Sequence, residues 1–235
     1  MFLLQLFVVI FSLFLARWGL RVFRKRRNTK LLNTVTASDR GTRSERELVL
    51  SLLKSGRSPK ALYHDLMLEK ERGGYSQIDA VLATKVGIIV FEIKDYIGWI
   101  YGNCGHAKWT QVTAYGQSKY RFYNPVKQNE GHIKRLKATL RNAGMIPYFS
   151  VVVFDGDCSL KEIDYVPKNT YVVKANRVNE VIRDIELNHP TADYQDKTAV
   201  VRILEQAVIR GANPEILDQH RGSIDDMLGQ SRVYD

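Results

Sequence analysis

Apolar residues recur along the chain with different periods, and each period predicts an element. Phe2–Leu20 (FLLQLFVVIFSLFLARWGL) is apolar on every side, broken before Arg17 only by Gln5 and Ser12, which predicts a helix that shows no polar face. Leu48, Val49, Leu52 and Leu53 form a helical stripe, so a helix is expected from Thr42 or Ser44 to about Lys54, where SGRSP stops it. A short extended piece over Ala61–Leu68 and a turn at EKERGGYS come next. In QIDAVLATKVGIIVFEIKDY, Gln77–Tyr96, two β-prone runs flank a short TKVG turn, which predicts a hairpin. Gly98, Gly102 and Gly105 punctuate the following stretch around Trp99 and Trp109, suggesting another hairpin that ends near Gln111. After Asn124-Pro125, Ile133, Leu136 and Leu140 share one face of a helix over about Val126–Asn142. Phe149–Phe154 reads as a buried strand and Tyr171–Lys174 as a shorter one, with helices expected over Val178–Ile185 and Ala192–Arg210. Helices before and between strands predict an α/β layer structure over residues 41–211, including a C-terminal helical extension, and residues 212–235 read as a tail.

Charge changes the picture at the amino end. Nineteen residues make a helix of about 28 Å, close to the ~30 Å of a hydrocarbon core. A cleaved signal peptide would carry its positive charge before the apolar run, whereas here RVFRKRRNTK follows it. The expectation is therefore a single-pass anchor over residues 1–20 in an inner or plasma membrane, with the C-terminal domain cytoplasmic. Residues 21–40 are expected to form a basic juxtamembrane linker. Of the formal charge of +10, seven positive residues lie between Arg17 and Lys30, leaving +3 for Leu31–Asp235. Contact with anionic membrane lipid accounts for that cluster, so the overall basicity is weak evidence for a nucleic-acid surface. The two cysteines are far apart and suit free thiols rather than a disulfide framework. The five histidines are scattered and are expected to be surface or packing residues.

The hairpin raises a chemical question, because it threads charge through apolar sequence. A turn symmetric about Lys85 and Val86 sets Asp79 opposite Glu92 and Gln77 opposite Lys94. Strand periodicity then puts all four on one face, with Ile78, Ala80, Leu82, Ile89, Phe91 and Ile93 on the other. Two half-buried carboxylates about 5 Å apart repel and are desolvated. Lys94 offsets this as a salt-bridge partner, and a divalent cation such as Mg²⁺ or Mn²⁺ offsets it more fully. A cation held there would polarise a phosphodiester and lower the pKa of a bound water, with Lys94 opposing developing negative charge. An Asp and a Glu-x-Lys also occur in strands as idle turn or edge residues, and this second reading stays open.

Four stretches in order carry a resemblance: GTRSE (Gly41–Glu45), QIDAVLATKVGIIVFEIKDYIGWIYG (Gln77–Gly102), Trp109, and NPVKQN (Asn124–Asn129). Together they resemble the nuclease-related domain (NERD) family, grouped with the PD-(D/E)xK restriction-endonuclease-like superfamily, over about Gly41–Ala143. Ser44 stands where the family's second glycine is usual. The resemblance implies a restriction-endonuclease-like central mixed sheet flanked by helices and a divalent-metal centre. It implies Asp79 and Glu92 as metal ligands with Glu45 joining them, Lys94 as catalytic lysine, and Gln128 as a further functional position. From the residues alone, Glu45 also completes a capping box with Thr42, and Glu47 is an alternative ligand. Gln77 is expected to hold water or phosphate. Trp109 and Lys127 are expected at the substrate, although Trp99 and Trp109 are also natural packing residues, and the basic side of the long helix is also an ordinary solvated face. The expected activity is hydrolysis of nucleic-acid phosphodiesters, DNA before RNA. The alternative is an inactive module of the same fold that binds nucleic acid or a partner protein at the membrane.

Overall fold

A computed structural model describes residues 2–70, 73–113 and 116–220, with the side chains of residues 2–4 and 6–9 outside that description. The elements run α1 (Phe2–Leu32), α2 (Arg43–Lys54), β1 (Leu62–Glu69), β2 (Tyr75–Thr84), β3 (Gly87–Asp95), β4 (Gly98–Asn103), β5 (Lys108–Thr113) and β6 (Ser118–Tyr123). Then follow α3 (Pro125–Thr139), β7 (Tyr148–Asp155), β8 (Cys158–Asp164), β9 (Thr170–Lys174), α4 (Val178–Asn188) and α5 (Lys197–Gly211).

Two sheets organise the domain. A five-stranded sheet has the order β1-β2-β3-β7-β9, with β1 to β3 an antiparallel meander and β7 and β9 parallel to β3. The β2–β3 pairing includes Ala80 with Phe91 and Leu82 with Ile89, the register that a turn centred on Lys85 and Val86 requires. α2 and α4 cover one face, where Leu48, Val49, Leu52, Ile182 and Ile185 meet Leu82, Ile89 and Phe91. α3 and α5 cover the other, where Leu136, Leu140, Val200 and Leu204 meet Val81, Ile88 and Val90. With both faces covered, β3 and β7 are buried along almost their whole length, and the near-continuous apolar run of β3 reflects this. The second sheet, β6-β5-β4-β8, packs one face through Ile100 and Trp109 onto Val126, Val152 and Phe154. Trp109 stacks on Phe154 with ring planes 5° apart and lies directly against Gly102, where a β-carbon would collide with the indole.

Several expectations need correcting. The expected anchor falls partly on residues 1–4 and 6–9, whose side chains lie outside the described residues. Among the described residues no helix is long and apolar enough to cross a membrane. The helix does not end at the basic cluster but carries it through to Leu32, because Arg and Lys are good helix formers. Its last turn docks on the core through Leu31 and Leu32. β6 and β8 were not anticipated, since both lie at sheet edges and are exposed along most of their length, with little apolar run to mark them. α5 begins at Lys197, not Ala192, because Asp196 caps it by accepting from Ala199 N. Residues 214–220 are helical, and the expected tail beyond them lies outside the described residues.

Candidate active site

The end of β3 carries the first two groups. Glu92 and Lys94 are two apart in a strand and share the face toward α3, while Ile93 between them enters the core beneath α2. Glu92 is 1% exposed, and its Oε1 lies 2.7 Å from Lys94 Nζ. α3 supplies the surrounding layer. Asn124 caps it, its Oδ1 accepting from Val126 N and Lys127 N, and this fixes the first turn. Gln128 Oε1 in that turn accepts from Lys94 Nζ at 3.1 Å. His132, one turn further on, has Nε2 3.3 Å from Glu92 Oε2 and Nδ1 3.1 Å from Ser76 Oγ. Asn129 Nδ2 donates to Val90 O and Ser150 Oγ, pinning the helix across β3 and β7.

Asp79 joins this group from β2. Its Oδ2 accepts from Ile93 N at 2.7 Å, so the carboxyl sits beside the backbone that connects Glu92 to Lys94. Burial, and then the charges of Glu92 and Glu45, push its pKa well above the ordinary carboxylate value, against the Ile93 N–H and the Lys94 ammonium. Its residue surface is partly exposed at a cleft while the carboxyl lies deep among these neighbours. Burial pulls the Lys94 ammonium down, but Glu92 and Asp79 outweigh that and hold it above the usual lysine value.

A second cluster lies toward α2. Glu45 caps its own helix, accepting from Thr42 Oγ1 at 2.8 Å while Thr42 Oγ1 accepts from Glu45 N. Its Oε2 is 3.3 Å from His64 Nε2. Burial raises the Glu45 pKa, yet the His64 and Thr42 bonds outweigh it and hold the carboxylate below its ordinary value. Gly41, with φ of +72°, passes so close to the His64 ring and Glu45 that a side chain there would collide with both. β1 is interrupted at Asp65, which has φ of +57° and no ladder partner. The interruption turns its side chain to Arg40 Nε (2.9 Å) and Gln77 Nε2 (2.6 Å), which both donate to it. Glu45, Asp65, Gln77 and Asp79 line a cleft of about 630 Å³ that Leu217 and His220 of the C-terminal helical turns help to enclose.

The structure thus joins Glu92, Lys94 and Gln128 by direct contacts, bonds the Asp79 carboxyl to the Ile93 N–H between Glu92 and Lys94, and lines one cleft with Asp79 and Glu45. Gln77 is not opposite Lys94: the β2–β3 ladder ends at Ala80, and Gln77 turns to Asp65. Ile78 likewise packs on the α3 side with Val81 rather than with Ala80 and Leu82, because the strand is irregular where Asp65 leaves the ladder. Trp109 is 1% exposed and donates from Nε1 to Asn103 O, so it cannot stack on a substrate base. Lys127 Nζ donates to Gly105 O, on the β4–β5 turn. His64 and His132, read from sequence as surface or packing residues, are buried against two of the site carboxylates. The four-residue spacing of Gln128 and His132 on one helix was the available signal, since it puts both on one face.

Among the described residues no group of three or more His, Cys, Asp or Glu is placed to hold a metal ion. Mg²⁺ commonly takes only one or two protein carboxylates and completes its shell with water and substrate phosphate. Asp79 and Glu92 fit that requirement in kind: hard oxygen donors, mutually repelling, with Glu92 Oε2 lacking a hydrogen-bond partner.

Comparison with known proteins gives a family for this chain. The nuclease-related domain family matches residues 40–155, which span α2 through β7 and contain every group just described except the C-terminal turns. An uncharacterized protein of Bacillus anthracis is 32% identical over 153 residues, covering 63% of this chain and 70% of that protein. No solved structure gives a significant match.

Proposed function

The chain belongs to the nuclease-related domain family, and on that premise we propose that it hydrolyses nucleic-acid phosphodiester bonds with a divalent cation. The observation that carries the reading is the Asp79 carboxyl bonded to the Ile93 N–H, between the paired Glu92 and Lys94, with its pKa raised in part by Glu92. Bound between Asp79 and Glu92, Mg²⁺ or Mn²⁺ would act as Lewis acid on the phosphate and acidify a water. Lys94 Nζ is held by Glu92 Oε1 and Gln128 Oε1 in a fixed position, from which it offsets charge that develops on phosphate oxygens. His132, oriented by Ser76, stands 3.3 Å from Glu92 Oε2, an oxygen with no hydrogen-bond partner that remains for the cation. Glu45 acts on the site through its charge; its Oε1 accepts from Thr42, while its Oε2, 3.3 Å from His64 Nε2, has no hydrogen-bond partner.

The test compares the full chain with its Asp79→Ala and Lys94→Ala forms on single- and double-stranded DNA and RNA, each with Mg²⁺, Mn²⁺ or a chelator. The reading expects cleavage that needs both the cation and both residues, with DNA cut faster than RNA. Equal cleavage by all three proteins would refute it. Tight binding without any cleavage would instead support the inactive module of the same fold.

A lipid-surface contact through α1 is part of the same reading. Leu13, Phe14, Trp18, Leu20 and Phe23 are exposed on this helix, and Arg24, Lys25, Arg26 and Arg27 follow directly. Anionic vesicles should sediment the chain and neutral ones should not, and equal recovery in both would remove this contact from the account.

A further inference from the structure

We propose that the outer face of the four-stranded sheet is a platform for single-stranded nucleic acid. The ladder register builds the face in rows. Trp99, Val112 and Lys119 form one, Tyr101, Thr110 and Arg121 the next, and Lys108 pairs with Tyr123 in the third. The opposite face is the packed one, with Ile100, Trp109 and Phe122 turned toward Phe154 and Tyr96. On the outer face Val112, opposite Trp99, is 7% exposed, while the Trp99 and Tyr123 rings remain open to solvent. Trp99 is 37% exposed and Tyr123 55%, and Lys161 Nζ lies 5.4 Å from the centre of the Trp99 ring. β4, β5 and β6 contain Lys108, Lys119 and Arg121 and no acidic residue.

Aromatic rings interleaved with cations on a sheet match the two halves of a single strand: base faces stack on the rings and phosphates pair with the charges. A duplex hides its base faces and cannot use the rings. Glu162 and Asp164 of β8 lie beside Tyr101 and Asn103, so phosphates are repelled on that side and the track is confined to β4–β6. The track also has a direction. β6 ends at Tyr123, and the next residue, Asn124, caps α3 while donating to the Cys104 and His106 carbonyls of the β4–β5 turn. Four residues further, Gln128 holds Lys94. A strand leaving the platform at Tyr123 thus arrives at the helix end that carries the proposed hydrolytic site. Delivery to that site rests on the function proposed above, whereas binding to the platform does not.

The test is fluorescence anisotropy of labelled oligo-dT and oligo-rU with the full chain in chelator, so that no hydrolysis intervenes, at two salt concentrations. The expectation is that single strands bind more tightly than a duplex of equal length. Trp99→Ala and Tyr123→Ala should each weaken binding about 5- to 140-fold, the range found for loss of one base stack. Arg121→Gln should weaken it and lower the salt slope by about 0.7, one phosphate contact on a single strand. Thermal unfolding of each variant, at exposed positions, serves as the folding control. Unchanged affinity in folded Trp99→Ala and Tyr123→Ala proteins, preference for duplex, or no binding by the unmodified chain would each overturn the platform. Binding that follows the platform variants, together with no cleavage when Mg²⁺ is restored, would uphold it and count against the hydrolytic reading alone.

Discussion

Lys94→Met keeps the aliphatic stem of this side chain and deletes the ammonium 2.7 Å from Glu92 Oε1. Breaking a fully buried ion pair by removing one partner costs about 3–5 kcal/mol, because the remaining charge has lost its counterpart. Lys94 is 21% exposed, and Glu92 keeps His132 at 3.3 Å, so the low end applies, about 3 kcal/mol. For a domain of this size that corresponds to a fall in Tm of about 6–12 °C. Glu92→Gln should cost less, since Lys94 retains Gln128 and some solvent. The double variant should recover part of the loss, giving a coupling of about 1–3 kcal/mol in a double-mutant cycle measured by urea unfolding. Both single variants should also be inactive, so stability and activity are read on the same proteins. Single-variant losses that add to within about 0.5 kcal/mol would refute a direct Glu92–Lys94 interaction.

Asp79→Asn tests electrostatic crowding from the other strand. The folded pKa of Asp79 is raised, so the folded chain holds that proton more tightly than the unfolded chain. Its favourable contribution is present when the group is protonated and is lost as pH rises from about 4 through the folded value. A Tm series without added cation should therefore decline over that window, and Asp79→Asn should flatten it while abolishing cleavage. A slope that persists in the variant would assign the effect elsewhere. Gln128→Ala removes one hydrogen bond to a charged group, worth about 1.5–3 kcal/mol, and should lower kcat by about tenfold or more with little change in KM. An unchanged kcat would leave Gln128 without a positioning role. Trp109→Ala should destabilise by about 3–5 kcal/mol in chemical unfolding, since the ring is fully buried on Phe154 and Gly102, and a loss below about 1 kcal/mol would contradict that packing.

Much of the main sheet was legible because its middle strands are covered on both faces. Their apolar runs, and the turn at Lys85 and Val86, fix the β2–β3 register without reference to anything distant. The Glu92–Lys94 pair was legible for a related reason, since a strand's two-residue repeat leaves no other face for the second charge. Gln77 and Ile78 were not, because their direction depends on Asp65 adopting a left-handed conformation in a neighbouring strand. No local pattern in β2 reports that. His64 and His132 escaped notice because their partners are 19 and 40 residues away in sequence, and a lone histidine carries no period. The edge strands β6 and β8 were missed because exposure along the sheet edge permits Lys, Arg, Glu and Asp among their residues. Those charged residues are what give the outer face of the second sheet its charge.

The central claim, that carboxylates of β2 and β3 hold a cation against a phosphodiester, is tested most directly with a sulfur-for-oxygen substrate. Cleavage of an oligonucleotide is measured against the same strand with non-bridging phosphate oxygens replaced by sulfur, in Mg²⁺ and in Mn²⁺. The account predicts at least roughly tenfold slower cleavage of the sulfur substrate in Mg²⁺, relieved in Mn²⁺, because the softer ion accepts sulfur more readily. Equal rates for both substrates in Mg²⁺, or cleavage that continues in chelator, would contradict it.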